Sequence, residues 1–151
     1  MNRGTILYVE DDENDVMFMR QAWKKAGLLN PLHVVTDGEQ AMHYLAGEGK
    51  YANRGEHPMP CLVLLDLKLP KVSGLELIKW IREQPAIHTL QVVILTSSNQ
   101  PTDIHTAHAL RANAYLVKPP NAEGLAQMAE SLKDFWMSRA QTPPECVQFK
   151  K

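Results

Sequence analysis

Cysteine is scarce: two in 151 residues, Cys61 at the head of an apolar run and Cys146 in a polar tail. So unlike a pair makes a poor disulfide framework and points to a reducing compartment. No apolar stretch approaches the roughly 20 residues needed to cross a bilayer. Met1-Asn2-Arg3-Gly4 runs straight into a short apolar pentad, without the long apolar region of a secretory leader. A cytoplasmic protein with no membrane segment is therefore expected. Charge of one sign is missing too. The formal net charge is −1 and no long basic run occurs, which leaves no basic face for nucleic-acid phosphates.

What is present is an ordinary globular composition, 44% hydrophobic and 22% charged, at a length that suits one domain. Short apolar runs alternate with amphipathic stretches. Strands are expected over 5–9, 32–35, 61–65, 91–95 and 114–117. Between and after them, Val16/Met19/Trp23/Ala26, Ala41/Met42/Leu45, Leu75/Ile78/Ile81, a weakly apolar segment over 103–110 and Leu125/Met128/Ala129/Leu132 have helical spacing. Gly27 and Pro85 are helix stops, and Asp37-Gly38 is a turn leading into a helix. The Gly- and Pro-containing stretch 47–59 reads as a long exposed loop, and 137–151 as a C-terminal tail following a domain over 1–136. A β-α repeat of this kind favours a parallel sheet with right-handed crossovers.

In an open parallel sheet, chemistry collects at the carboxyl ends of the strands. Glu10, Asp11 and Asp12 follow the first strand, Asp66 the third, Thr96-Ser97-Ser98 the fourth and Lys118 the fifth. Carboxylates brought within a few ångströms repel by about 4 kcal/mol per close pair at an effective dielectric near 20. A hard divalent cation offsets that repulsion, and Mg²⁺ takes one or two carboxylates, waters and phosphate oxygens. A carboxylate can also attack phosphorus and form an acyl phosphate, whose oxygens a metal, an ammonium and a hydroxyl can neutralise. The residue types fit metal-assisted phosphoryl transfer to aspartate.

Four blocks carry a family resemblance: Ile6-Leu7-Tyr8-Val9-Glu10-Asp11-Asp12, Leu64-Leu65-Asp66-Leu67-Lys68-Leu69-Pro70-Lys71-Val72-Ser73-Gly74, Leu95-Thr96-Ser97 and Tyr115-Leu116-Val117-Lys118-Pro119. In order and separation they resemble the signature blocks of bacterial response-regulator receiver domains, over residues from about 5 to about 136. The resemblance implies an α/β, flavodoxin-like, doubly wound five-stranded parallel sheet of order 2-1-3-4-5 with five helices. It implies Asp66 as phosphoacceptor, with Glu10, Asp11, Asp66 and the backbone carbonyl of Lys68 around Mg²⁺. Thr96 then takes the part of the switch hydroxyl, Lys118 that of the family ammonium and Tyr115 that of the aromatic that reports the switch. A cis peptide between Lys118 and Pro119 is implied as well. Glu10 departs from the more frequent Asp, Ser73 from a frequent acid, and Pro120 doubles the usual proline. Lys68 and Ser98, two residues beyond Asp66 and Thr96, occupy positions that tune phosphoryl lifetime.

Plainer readings stand beside these. Asp12 is more simply a helix N-cap than a metal ligand, and His105 and His108 are surface residues rather than a metal pair. Trp23, Trp80 and Trp136 read as anchors, and Met17, Met19, Met42 and Met128 as packing residues. With only about 15 residues after Trp136, output by contact is expected, through the fourth helix, fifth strand and fifth helix to an unidentified downstream protein. A sensor histidine kinase is the implied phosphodonor. The "DGE" after the second strand, the long loop and the LDLKLPK block resemble phytochrome-associated regulators, which implies a light-sensing kinase and homodimerisation. Alternatives are a phosphorelay intermediate serving a histidine phosphotransfer protein, an aspartyl-phosphate phosphatase, and a scaffold that never takes phosphate. Against the phosphatase, Lys68 stands where a second acid is needed. The chain is accordingly read as a non-enzyme whose only chemistry is phosphorylation and dephosphorylation of Asp66.

Overall fold

Residues 6–9 and 62–65 are apolar at every position and buried at every position. Runs of that kind need cover on both faces of a sheet, and the computed structural model, which describes residues 4–133, has that arrangement. The strands are β1 (Ile6–Val9), β2 (Leu32–Val35), β3 (Leu62–Leu65), β4 (Gln91–Thr96) and β5 (Ala114–Val117). The helices are α1 (Glu13–Lys25), α2 (Gly38–Ala46), α3 (Gly74–Glu83), α4 (Pro101–Ala109) and α5 (Ala122–Leu132). All strand pairs are parallel and the order is β2-β1-β3-β4-β5. This is the expected doubly wound, flavodoxin-like α/β fold.

Alternation along the strands sorts the core into two layers. Leu7, Val9, Val63, Leu65, Val92 and Ile94 face α2, α3 and Ala107 of α4. Ile6, Tyr8, Leu62, Leu64, Val93 and Leu95 face α1 and α5, where they meet Met19, Trp23, Leu125 and Ala129. Asp12, Asp37, Ser73 and Asn121 cap α1, α2, α3 and α5 with their side chains, so each helix starts where its first free N–H groups find an acceptor. Gly27 ends the first helix with φ at 73°, the left-handed turn that glycine takes without strain.

Several expectations need correction. The 47–59 stretch is not simply an exposed loop: it contains a 3₁₀ turn over Gly49–Tyr51, and Tyr51 is buried. Arg54 donates to the carbonyls of Tyr44, Leu45 and His57 at 2.7, 2.8 and 3.1 Å, tying the loop to the last turn of α2. Met17 is 47% exposed rather than packed, because the buried face of α1 runs through Met19, Ala22 and Trp23. No cis peptide occurs among the described residues, Lys118–Pro119 included. The trans form is the lower-energy one even before proline, and the lysine reaches its partners from it. Cys61 is buried and disulfide-bonded, against the expectation of unpaired thiols. Trp136 and the expected boundary at 136 lie outside the described residues. Among the described residues no helix is long and apolar enough to cross a membrane.

Candidate functional site

The sheet ladder runs one residue past several strand ends and fixes the site backbone there. Glu10 N–H donates to Val35 O at 3.0 Å, Asp66 N–H to Val9 O at 3.2 Å, and Lys118 N–H to Thr96 O at 2.7 Å. Gly74 opens α3 against the Asp66 backbone, and a Cβ there would run into the Asp66 carbonyl oxygen. Gly38 is similarly pressed onto the Val72 carbonyl. The "DGE" turn and the loop after Asp66 are thus fitted to each other, and Lys71 reaches Glu39 at 3.6 Å across the same seam.

The side chains converge on one ammonium. Lys118 Nζ lies 2.6 Å from Glu10 Oε1, 2.7 Å from Asp15 Oδ2 and 3.0 Å from Asp66 Oδ2. The other Asp66 oxygen, Oδ1, accepts from Lys68 N–H at 3.2 Å. Glu10 also accepts from the Tyr8 hydroxyl and from Asp12 N–H, both at 3.3 Å. Burial pushes the Glu10 carboxyl from its ordinary 4.5 up to about 7, against the pull of Lys118. Burial also works against the Lys118 charge, but hydrogen bonds to Asp15, Glu10 and Asp66 prevail and raise it above its ordinary value. Tyr8 is raised by burial and then by Glu10, so it remains a neutral donor.

Glu10, Asp11 and Asp66 each offer a carboxylate oxygen, and these lie within 4.8 Å of one another. With Asp15, four carboxylates gather at this site, and three of them, Glu10, Asp15 and Asp66, share one ammonium. Such an excess of negative charge fits a divalent cation made for oxygen ligands. Asp11 is exposed while Glu10 and Asp66 are buried, so the cluster opens to solvent on the Asp11 side.

Thr96 is fully buried, and its Oγ1 accepts from Ser98 N–H at 3.3 Å. Ser98 in turn donates from Oγ to Asp103 at 2.6 Å and accepts from the half-buried Tyr115 hydroxyl at 2.8 Å. Thr96 and Tyr115 are therefore linked through one residue. Asp12 is the N-cap of α1 and accepts from Asn14 and Asp15 N–H, as the plainer reading expected. His105 and His108 are exposed. Asp15 and Tyr8 were not anticipated. An Asp in the first turn of a helix signals only a favourable dipole, and a Tyr within an apolar strand signals only core.

The sequence profile of the response regulator receiver domain matches residues 6–130. The chain belongs to that family, the receiver domains of two-component signalling. Response regulator Rcp1 of Synechocystis is 34% identical over 138 residues, covering 91% of this chain and 92% of that protein. The crystal structure of the phosphorylated cyanobacterial phytochrome response regulator RcpA superimposes with a TM-score of 0.86 at 34% identity, over 94% of this chain and 99% of that one. The Mn²⁺-bound form of Rcp1 does so with 0.83 at 34%, over 93% and 99%.

Proposed function

We propose that this chain acts as a single-domain response regulator, taking a phosphoryl group from a sensor histidine kinase onto Asp66 with Mg²⁺ and signalling by phosphorylation-dependent protein binding. The observation that carries the reading is the Lys118 ammonium 3.0 Å from Asp66 Oδ2, beside three carboxylates close enough to share a cation. Glu10, Asp11, Asp66 and the Lys68 carbonyl would hold the metal, which supplies charge neutralisation at the transferring phosphoryl group. In the transfer one P–N bond breaks as one P–O bond forms at Asp66, and the leaving imidazole regains a proton. Lys118 then balances the new charge, Thr96 donates its hydroxyl to a phosphoryl oxygen, and Tyr115 follows through Ser98. A protein of this kind works in the cytoplasm.

The names of the relatives support a phytochrome-type kinase as the donor, and one is solved in a Mn²⁺-bound form. Radiolabelled, autophosphorylated phytochrome kinase mixed with the chain tests both points. Label should pass to the wild type within minutes and not to Asp66→Asn. Label that stays on the kinase while other response regulators accept it would refute the donor assignment.

A further inference from the structure

Resting on the assignment of Asp66 as phosphoacceptor, we infer that Asp15 is a positioning residue that holds Lys118 against the first turn of α1 and competes with the phosphoryl oxygens for its ammonium. An ammonium has three N–H donors and no more. Here Glu10, Asp15 and Asp66 take one each, at 2.6, 2.7 and 3.0 Å. A phosphoryl group on Asp66 replaces that residue's own carboxylate charge and brings about −1.5 to −2 of charge on further acceptor oxygens, so the donor now on Asp66 passes to it and a second contact needs a donor from Glu10 or Asp15. Glu10, with a side chain only 1% exposed, cannot turn to water and depends on the ammonium or on a cation beside it. Asp15 is the cheap one, because its side chain is 29% exposed and sits in the first turn of α1, where water and the helix N-terminus take over its charge. Engagement of the phosphoryl group by Lys118 is thus coupled to release of α1 from the β5 end of the site.

The test uses beryllofluoride, the non-covalent phosphoryl mimic, titrated at saturating Mg²⁺ into wild type, Asp15→Asn, Asp15→Ala, Lys118→Ala and the double variant Asp15→Asn/Lys118→Ala, with Mg²⁺ affinity measured separately. Both Asp15 variants should tighten beryllofluoride binding by about three- to five-fold, the scale of a part-exposed ion pair, without tightening Mg²⁺ binding. In the Lys118→Ala background the gain should vanish. Unchanged or weaker binding in the Asp15 variants, or an equal gain without Lys118, overturns the inference alone. A wild type that does not bind beryllofluoride overturns the phosphoacceptor assignment, and this inference with it.

Discussion

Lys118, which follows β5, reaches Glu10, which follows β1, with Nζ 2.6 Å from Oε1, although β3 and β4 lie between those two strands in the sheet. The pair bridges the middle of the carboxyl edge, directly over Asp66 at the end of β3. It closes off a carboxylate that is only 1% exposed, so the lysine is part of the site's stability as well as of its chemistry.

Removing one partner of such a pair strands the other. Lys118→Ala should cost roughly 3–5 kcal/mol in metal-free buffer, read as a lowered urea midpoint. Mg²⁺ should recover more stability in the variant than in the wild type, because the cation then has the carboxylates to itself. An unchanged midpoint would mean that Glu10 does not depend on this ammonium.

The Glu10 carboxyl binds its proton more tightly in the folded chain, with its pKa raised from 4.5 to about 7. Its contribution to stability is therefore fully present below about 4.5 and lost as pH rises through about 7. In chelator-treated protein the unfolding free energy should fall across that window, by about 3 kcal/mol at most. Glu10→Gln should flatten the fall, and Mg²⁺ should reduce it by competing with the proton. A wild-type profile as flat as that of the Gln variant would contradict this.

Gly74 has no room for a methyl group beside the Asp66 carbonyl and the Leu67 Cα. Gly74→Ala should cost about 1–3 kcal/mol as the start of α3 is pushed away, and phosphoryl uptake should slow because Asp66 shifts with the backbone. Denaturation and uptake kinetics on one preparation check both effects.

Arg82 ties the end of α3 to the opposite edge of the sheet, donating to the carbonyls of His88, Leu90 and Arg111 at 2.9, 2.7 and 2.7 Å. Arg82→Ala should destabilise by about 2–4 kcal/mol and leave the rate of phosphoryl uptake unchanged, since the clamp lies at the strand ends away from Asp66. A matching loss of uptake would mean that the two ends of the sheet are coupled.

How far the sequence could be read depended on whether a residue's partners were set by the chain's own periodicity. Glu10, Asp66 and Lys118 could be brought together in advance, because a parallel sheet delivers its strand ends to one edge. Asp15 could not: its partner lies 103 positions away, and nothing local to α1 distinguishes it from an ordinary first-turn acid. The same holds for Arg54, two of whose acceptors are carbonyls in the last turn of α2, and for Met17, where helical spacing left the edge of the buried stripe undefined. The Lys118–Pro119 geometry and the bonded state of Cys61 turn on tertiary structure, and there the expectations failed.

The claim on which the account rests is that Asp66 accepts a phosphoryl group with help from a cation held beside it. Intact-mass analysis after incubation with a small phosphodonor, with and without Mg²⁺, tests it most directly. The account predicts one added phosphoryl group on the wild type with Mg²⁺, and none on Asp66→Asn or when the metal is chelated. An unshifted wild type, or equal modification of Asp66→Asn, would contradict it.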